Sequence, residues 1–257
     1  MEATAVIAED KATTFKLKTA DILLTHTKAS LWGWLIRKAT RCYWNHALIV
    51  CSVGNPEEGA GATLIIDPKT SGGVEVDYAE RYMGRLDKYD VAVKRLEADW
   101  FQDDSTHDEP GMRSRICNIA LNEVEIKLGS RLGNLLDKFI RQMTLILRFL
   151  RLALIGAPPL KHIVQIFRPS QMKAFACSGF VQWCYYQGVA RSLAGTSERL
   201  DAVLFNLRVG PNVTAFELLT TTPADLAESD KLRWKYVIKD GILREVGSAA
   251  EVASLTA

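Results

Sequence analysis

The sequence contains no pair of cysteines spaced CxxC, and its five cysteines, Cys42, Cys51, Cys117, Cys177 and Cys184, are an odd set. That combination argues against a disulfide framework and against a structural zinc site, and it fits a reducing compartment. Histidine is scarce: the four stand at His26, His46, His107 and His162, without the spacing of a metal motif. No HExxH or EF-hand pattern occurs, and Gly72-Gly73 lacks the following Lys-Ser/Thr of a phosphate loop, so neither a metal nor another cofactor is expected. Charge excess is also missing. With 32 basic against 30 acidic side chains, the formal net charge is +2, and no broad basic field exists to hold a nucleic-acid backbone.

No apolar run reaches the roughly 20 residues of a membrane span; the nearest, from Met143 to Ala157, contains Arg148 and Arg151. The N-terminus carries Glu2, Glu9 and Asp10 and lacks the basic-then-apolar pattern of a leader. Residues 1–16 therefore read as a flexible tail, and a cytoplasmic location is expected, with signal-less export or peripheral membrane association left open. Internal repeats and low-complexity segments are absent. What is present is ordinary for a globular domain with a real core: 257 residues, 48% hydrophobic and 24% charged.

Apolar periodicity sketches the elements. Thr19 to Thr25 reads as a first strand, and Ala29 to Arg41 as an amphipathic helix. His46–Val53 and Ala62–Asp67 read as an antiparallel hairpin around a turn rich in Gly and Pro. Gly73–Asp77 and Asp90–Leu96 add strands, which makes at least four. Met112–Leu128 reads as a helix, and Arg131–Ile155 as a second one stopped by Pro158 and Pro159. A further helix starts at or just after Cys177 and closes at Gly188. Thr222-Pro-Ala-Asp-Leu226 enters a short helix, and Trp234–Ile238 is a last strand.

The position of Cys177 carries the chemistry. In the first turn of a helix, unpaired N–H groups and the helix dipole stabilise a thiolate and lower its pKa. Ala176, Ser178 and Gly179 beside it are small enough to let a substrate carbonyl approach, and the N–H groups of that turn could donate to an oxyanion. A buried structural thiol is the competing reading. His46 opens its strand, where an imidazole can project from the sheet edge as base or counter-ion. If the hairpin is symmetrical about Pro56 and Glu57, Asp67 lies opposite His46, close enough to orient the ring. Cys184, two turns along the same helix, reads as a packing residue.

Five segments stand in one order: Asp21-Ile-Leu-Leu24, Asn45-His-Ala-Leu-Ile-Val50, Leu64-Ile-Ile-Asp67 with Gly73-Val-Glu-Val76, Cys177-Ser-Gly-Phe-Val181, and Thr222-Pro-Ala-Asp-Leu226. The series resembles the permuted NlpC-type papain-like cysteine amidases, which are distantly similar to the lecithin:retinol acyltransferase group. The resemblance implies an α+β fold over 17–240: an antiparallel sheet packed on the nucleophile helix, with a helical insertion at about 112–160 and a C-terminal tail at 241–257. It also implies that Cys177 is the nucleophile, His46 the base and Asp67 the third polar residue. Glutamate is common at that third position, which makes Glu75 the reserve candidate, and Ala20 stands where the family has glycine.

The expected function is a cysteine hydrolase that forms a thioester and cleaves an amide bond in a peptide, a cell-wall fragment or an N-acyl compound. Two alternatives accompany it: a lipid acyltransferase or phospholipase working at a membrane, and a non-catalytic binding module on the same fold. The membrane alternative draws on 131–155, where Leu135, Phe139, Met143 and Leu150 share one helical face and Lys138, Arg141, Arg148 and Arg151 gather on the other. Core packing or a dimer seam explains the same stripe. The expected partners are a small-molecule, peptide or lipid substrate.

Overall fold

The computed structural model describes residues 16–54, 59–69, 73–101, 111–124, 177–192, 196–206 and 213–256. Seven strands form one antiparallel sheet: β1 (Ile22–Thr27), β2 (His46–Ser52), β3 (Leu64–Pro68), β4 (Val74–Tyr78), β5 (Tyr89–Leu96), β6 (Leu232–Lys239) and β7 (Ile242–Glu245). Their order across the sheet is β4-β3-β2-β1-β5-β6-β7, so β1 is central and the expectation of at least four strands is exceeded. The helices among the described residues are α1 (Leu31–Thr40), α2 (Glu80–Met83), α3 (Met112–Asn122), α4 (Cys177–Ala190), α5 (Ser197–Ala202), α6 (Ala215–Leu219), α7 (Pro223–Glu228) and α8 (Ala249–Thr256). The architecture is α+β.

The central strands are apolar at consecutive positions because both faces of the sheet are covered. Ile22, Leu24, Ala47, Ile49, Ile66 and Ala92 pack with Ile116 of α3 and with Phe180, Val181 and Tyr185 of α4. Leu23, Leu48, Val50, Ile65 and Val93 point the other way, toward Tyr82 and Met83 of α2. The helix pair α3–α4 is close enough that a Cβ on Gly188 would stand 2.7 Å from the Ile116 side chain. That contact explains Gly188. The helix runs through it to Ala190, so the glycine permits packing and does not end the element.

Three other expectations are corrected. The β2–β3 ladder pairs Val50 with Ile65 and ends on Ile49 with Ile66, after a bulge between Val50 and Ser52. Asp67 is thus level with Leu48 rather than His46, a register two positions from the symmetrical one. The expected tail at 241–257 is structured over its described residues, 241–256: Asp240 and Gly241 both have left-handed φ, 52° and 81°, and they form the two-residue turn of a β6–β7 hairpin in which Lys239 pairs with Ile242. Beyond it, α8 buries Val252 against the core. The helix expected over 112–128 ends at Asn122, and the 131–155 helix lies outside the described residues.

The start of β1 is fixed by a buried ion pair. Arg95 donates through Nε and Nη2 to the two oxygens of Asp21, both at 2.7 Å, and the Lys18 amide donates to the same carboxylate. Burial pushes the Asp21 carboxyl up while Arg95 pulls against that shift. Next to it Ala20 is left-handed at φ 62°, which accounts for the glycine of the resembling family; here a buried methyl group in the core accompanies the strained backbone. Replacing Asp21→Ala strands the Arg95 guanidinium in the interior. We expect a loss of about 3–5 kcal/mol in urea unfolding, and a cost below about 1 kcal/mol would mean that the pair does not hold β1.

Candidate active site

His46 is the first residue of β2 and Asp67 the last but one of β3. Because the strands are antiparallel, a start and an end meet at the same edge of the sheet. The two-position register difference leaves both side chains on one face, since side-chain direction alternates with period two. They become diagonal neighbours, a spacing that long side chains bridge. His46 Nε2 donates to Asp67 Oδ1 at 2.8 Å. The imidazole is nearly enclosed, with 13% of its side chain exposed, and the carboxylate is fully buried.

A buried carboxylate is costly unless it is hydrogen-bonded and paired. Asp67 has both compensations. Its second oxygen accepts from the Tyr82 hydroxyl at 2.6 Å and from the Lys69 ammonium. Burial raises its pKa, but His46, Lys69 and Tyr82 together outweigh that and hold the carboxyl well below the usual carboxylate range. Lys69 also lies 3.8 Å from Glu75 and 3.9 Å from Asp77, and Asp77 pairs with Arg81. The carboxylate on His46 is therefore that of Asp67. Glu75 is paired with Asp67 along the β3–β4 backbone, and its side chain is directed to Lys69.

Cys177 is the first residue of α4 and is buried. It interacts directly with His46, and each group governs the charge of the other. Burial raises the thiol pKa, yet the His46 charge and hydrogen bond, with the backbone N–H groups of Ala47 and Ser178, bring it below its ordinary value. For His46, burial lowers the pKa while Cys177 and Asp67 raise it, and the net direction is upward. Both shifts favour the thiolate–imidazolium form of the pair. With Nε2 committed to Asp67, Nδ1 is the nitrogen left for the thiol. Nδ1 makes no hydrogen bond of regular geometry, and catalytic hydrogen bonds often tighten only when substrate binds.

The small residues after Cys177 serve packing. A Cβ on Gly179 would collide with the backbone of Leu219, and the buried Ser178 hydroxyl donates to Thr221 O at 2.7 Å. Both tie α4 to the segment between α6 and α7, which corrects the expectation that they clear a path for substrate; Ala176 lies outside the described residues. Lys69 and Tyr82 were not anticipated from the sequence. Lys69 stands two positions beyond Asp67, just past the end of β3, and the alternation of an extended chain signals its position on the same side. Tyr82 sits on a short return helix, and no local pattern announces its partner.

The remaining cysteines differ in kind. Cys117 and Cys184 lie in the core with pKa values raised, Cys117 first through Cys51 and Cys184 through burial. Among the described residues no group of three or more His, Cys, Asp or Glu side chains is arranged to hold a metal ion, and no helix is long and apolar enough to cross a membrane. No family model matches the chain, and no curated protein matches it.

The sign of the two shifts fixes a pH dependence. Thiolate persists as pH falls until the lowered Cys177 pKa is crossed, so alkylation by iodoacetamide should stay fast at pH values below the free-thiol pKa of about 8.5. In His46→Ala, burial without a counter-ion should move the inflection above about 8.5. Equal profiles for the two proteins, followed by mass spectrometry of the Cys177 peptide, would show that the imidazole does not set the thiol's charge.

Proposed function

We propose that the protein is a cysteine hydrolase that cleaves an amide bond in a peptide, a cell-wall fragment or an N-acyl compound through a thioester. The observation that carries this reading is the direct interaction of Cys177 with a His46 whose other nitrogen is held by Asp67. A lowered thiol pKa at a helix start is what nucleophilic attack on a carbonyl requires, and a structural thiol has no need of it. Cys184, on the same helix, illustrates the contrast: burial without a cation drives its pKa up.

The steps follow from the groups present. The Cys177 thiolate adds to the carbonyl carbon, and the carbonyl electrons move to oxygen. The N–H groups of Ser178 and Ala47, both beside the sulfur, are the nearest backbone donors for that developing charge. The imidazolium protonates the leaving nitrogen, the C–N bond breaks, and a thioester remains. Water then attacks the thioester while neutral His46 takes its proton, and the thiolate departs with the acid released. Asp67 keeps Nε2 protonated throughout, so that Nδ1 is the atom that gives and receives the proton.

The fold that accompanies this reading is the permuted papain-like one of the NlpC-type amidases. The base strand, β2, precedes the nucleophile helix, α4, in the chain. A second reading, release or transfer of an acyl group from a lipid ester, uses the same thioester and draws on the exposed apolar residues Leu31 and Trp34 of α1.

The purified protein should release acyl product from a panel of peptides, cell-wall fragments, N-acyl compounds and phospholipids. Cys177→Ala and His46→Ala should abolish release, and mass spectrometry should find an acyl group on Cys177 of the wild type. Cleavage of phospholipid alone would replace the amide reading with the lipid one. Asp67→Asn should lower kcat by about one to two orders of magnitude, because the amide oxygen still accepts from Nε2 but brings no charge to favour the imidazolium; unchanged turnover would remove Asp67 from the mechanism. No acyl adduct on Cys177 with any class would favour a binding module.

A further inference from the structure

The solvent-facing line of α1 is built the wrong way round for an ordinary surface helix. Its exposed residues are Leu31, Trp34 and Lys38, continued by Arg41 at the C-cap. Successive spacings of three, four and three put all four on one side. Leu31 is 77% exposed and Trp34 48%, so two large apolar side chains lead the stripe and two cations finish it. The helix has no acidic residue. Favourable contact with the helix dipole explains the basic last turn, but it leaves the exposed Leu31 and Trp34 unexplained.

A second observation lies at the cationic end. A cavity of about 400 Å³ opens there, walled by the rings of Trp34 and Tyr43, by Arg37, Lys38 and Arg41, and by Thr256 of α8. No carboxylate among the described residues lines it. Arg37 Nη1 donates to Thr27 O at 3.2 Å, which fixes that guanidinium on the wall, and Lys239 Nζ stands 5.6 Å over the Tyr43 ring. The recess thus offers fixed and mobile cations with aromatic sides, next to an apolar tip.

We infer that α1 docks the protein on an anionic phospholipid surface, with Leu31 and Trp34 entering the interface and Arg37, Lys38 and Arg41 receiving lipid phosphates. Indole rings favour the depth of the headgroups, and a basic amphipathic helix binds there through apolar area and charge together. A second copy of the chain is a poor occupant, because its own α1 carries no carboxylate to receive the three cations. The docking face also has a place in the molecule. From Arg41 the chain needs only residues 42–45 to reach His46, so α1 sits at the edge of the sheet where the base is. A bilayer held by α1 would present acyl compounds dissolved in it to Cys177; that consequence rests on the proposed hydrolase reading, whereas docking itself does not.

The test is cosedimentation of the full chain with vesicles of phosphatidylcholine alone and of an equal mixture with phosphatidylglycerol. Binding should require the anionic lipid and weaken as salt rises. The double variant Lys38→Gln/Arg41→Gln should bind roughly 30-fold more weakly, the effect of two interfacial cations. Leu31→Ser/Trp34→Ser should also lose binding, with unchanged melting temperatures because these side chains are exposed. Cys177→Ala should bind as the wild type does, which separates failure of the chemistry from failure of the docking. No binding by the wild type, or full binding by both double variants, would overturn the inference. So would uptake of inorganic phosphate or polyglutamate without vesicle binding, since the recess would then serve a soluble anion or an acidic protein.

Discussion

Four side chains at one edge of the sheet are linked in sequence: Lys69 to Asp67, Asp67 to His46, and His46 to Cys177. Each is stable only because of the next. Burial alone would neutralise Asp67, push His46 down and push Cys177 up. Paired in sequence, the groups reverse all three tendencies. Lys69 acts on the thiol only through its neighbours, by holding the Asp67 carboxylate that raises the His46 pKa. Lys69 is the outermost member; it retains some exposure and meets the further carboxylates of Glu75 and Asp77.

The scaffold makes this arrangement inexpensive to hold. His46 and Asp67 come from adjacent antiparallel strands, and Tyr82 comes from the helix that follows β4, so three elements close together in the chain converge on one carboxylate. The fourth contributor arrives from far away in sequence. α4 packs Phe180, Val181 and Tyr185 against the β2 face that carries Ala47 and Ile49, and that packing brings the start of the helix beside His46. Ser178 and Gly179 lock the same turn to the Leu219–Thr221 backbone. The thiol is positioned by core packing on one side and by a crossing loop on the other.

The strands with alternating or continuous apolar residues were legible in the sequence, as were α1 and α4, because periodicity and flanking turn residues mark them. The relation of His46 to Asp67 was legible only in part. Their common face survived a register wrong by two positions, since an even displacement preserves side-chain direction. The register itself was not recoverable, because the ladder is not centred on Pro56 and Glu57 and the bulge at Cys51 changes it by one residue, and no local rule predicts either. The β6–β7 hairpin was misread although Asp240-Gly241 is a strong turn signal. The glycines at 179 and 188 misled for a different reason: their smallness serves neighbours distant in sequence, Leu219 and Ile116.

One strand supplies more of the site than its histidine. β2 pairs with β1 as far as His46, opposite Thr25, but its ladder with β3 begins only at Ile49. Between those limits the backbone of Ala47 is not claimed by β3, and its N–H is directed to the Cys177 sulfur. Had the β2–β3 ladder continued to the end of the strand, that donor would have been spent within the sheet. The early separation of β2 from β3 therefore has two effects. It leaves a backbone donor for the thiolate, and it opens the gap across which His46 reaches diagonally to Asp67. A site assembled in this way depends on where pairing stops as much as on which residues are present.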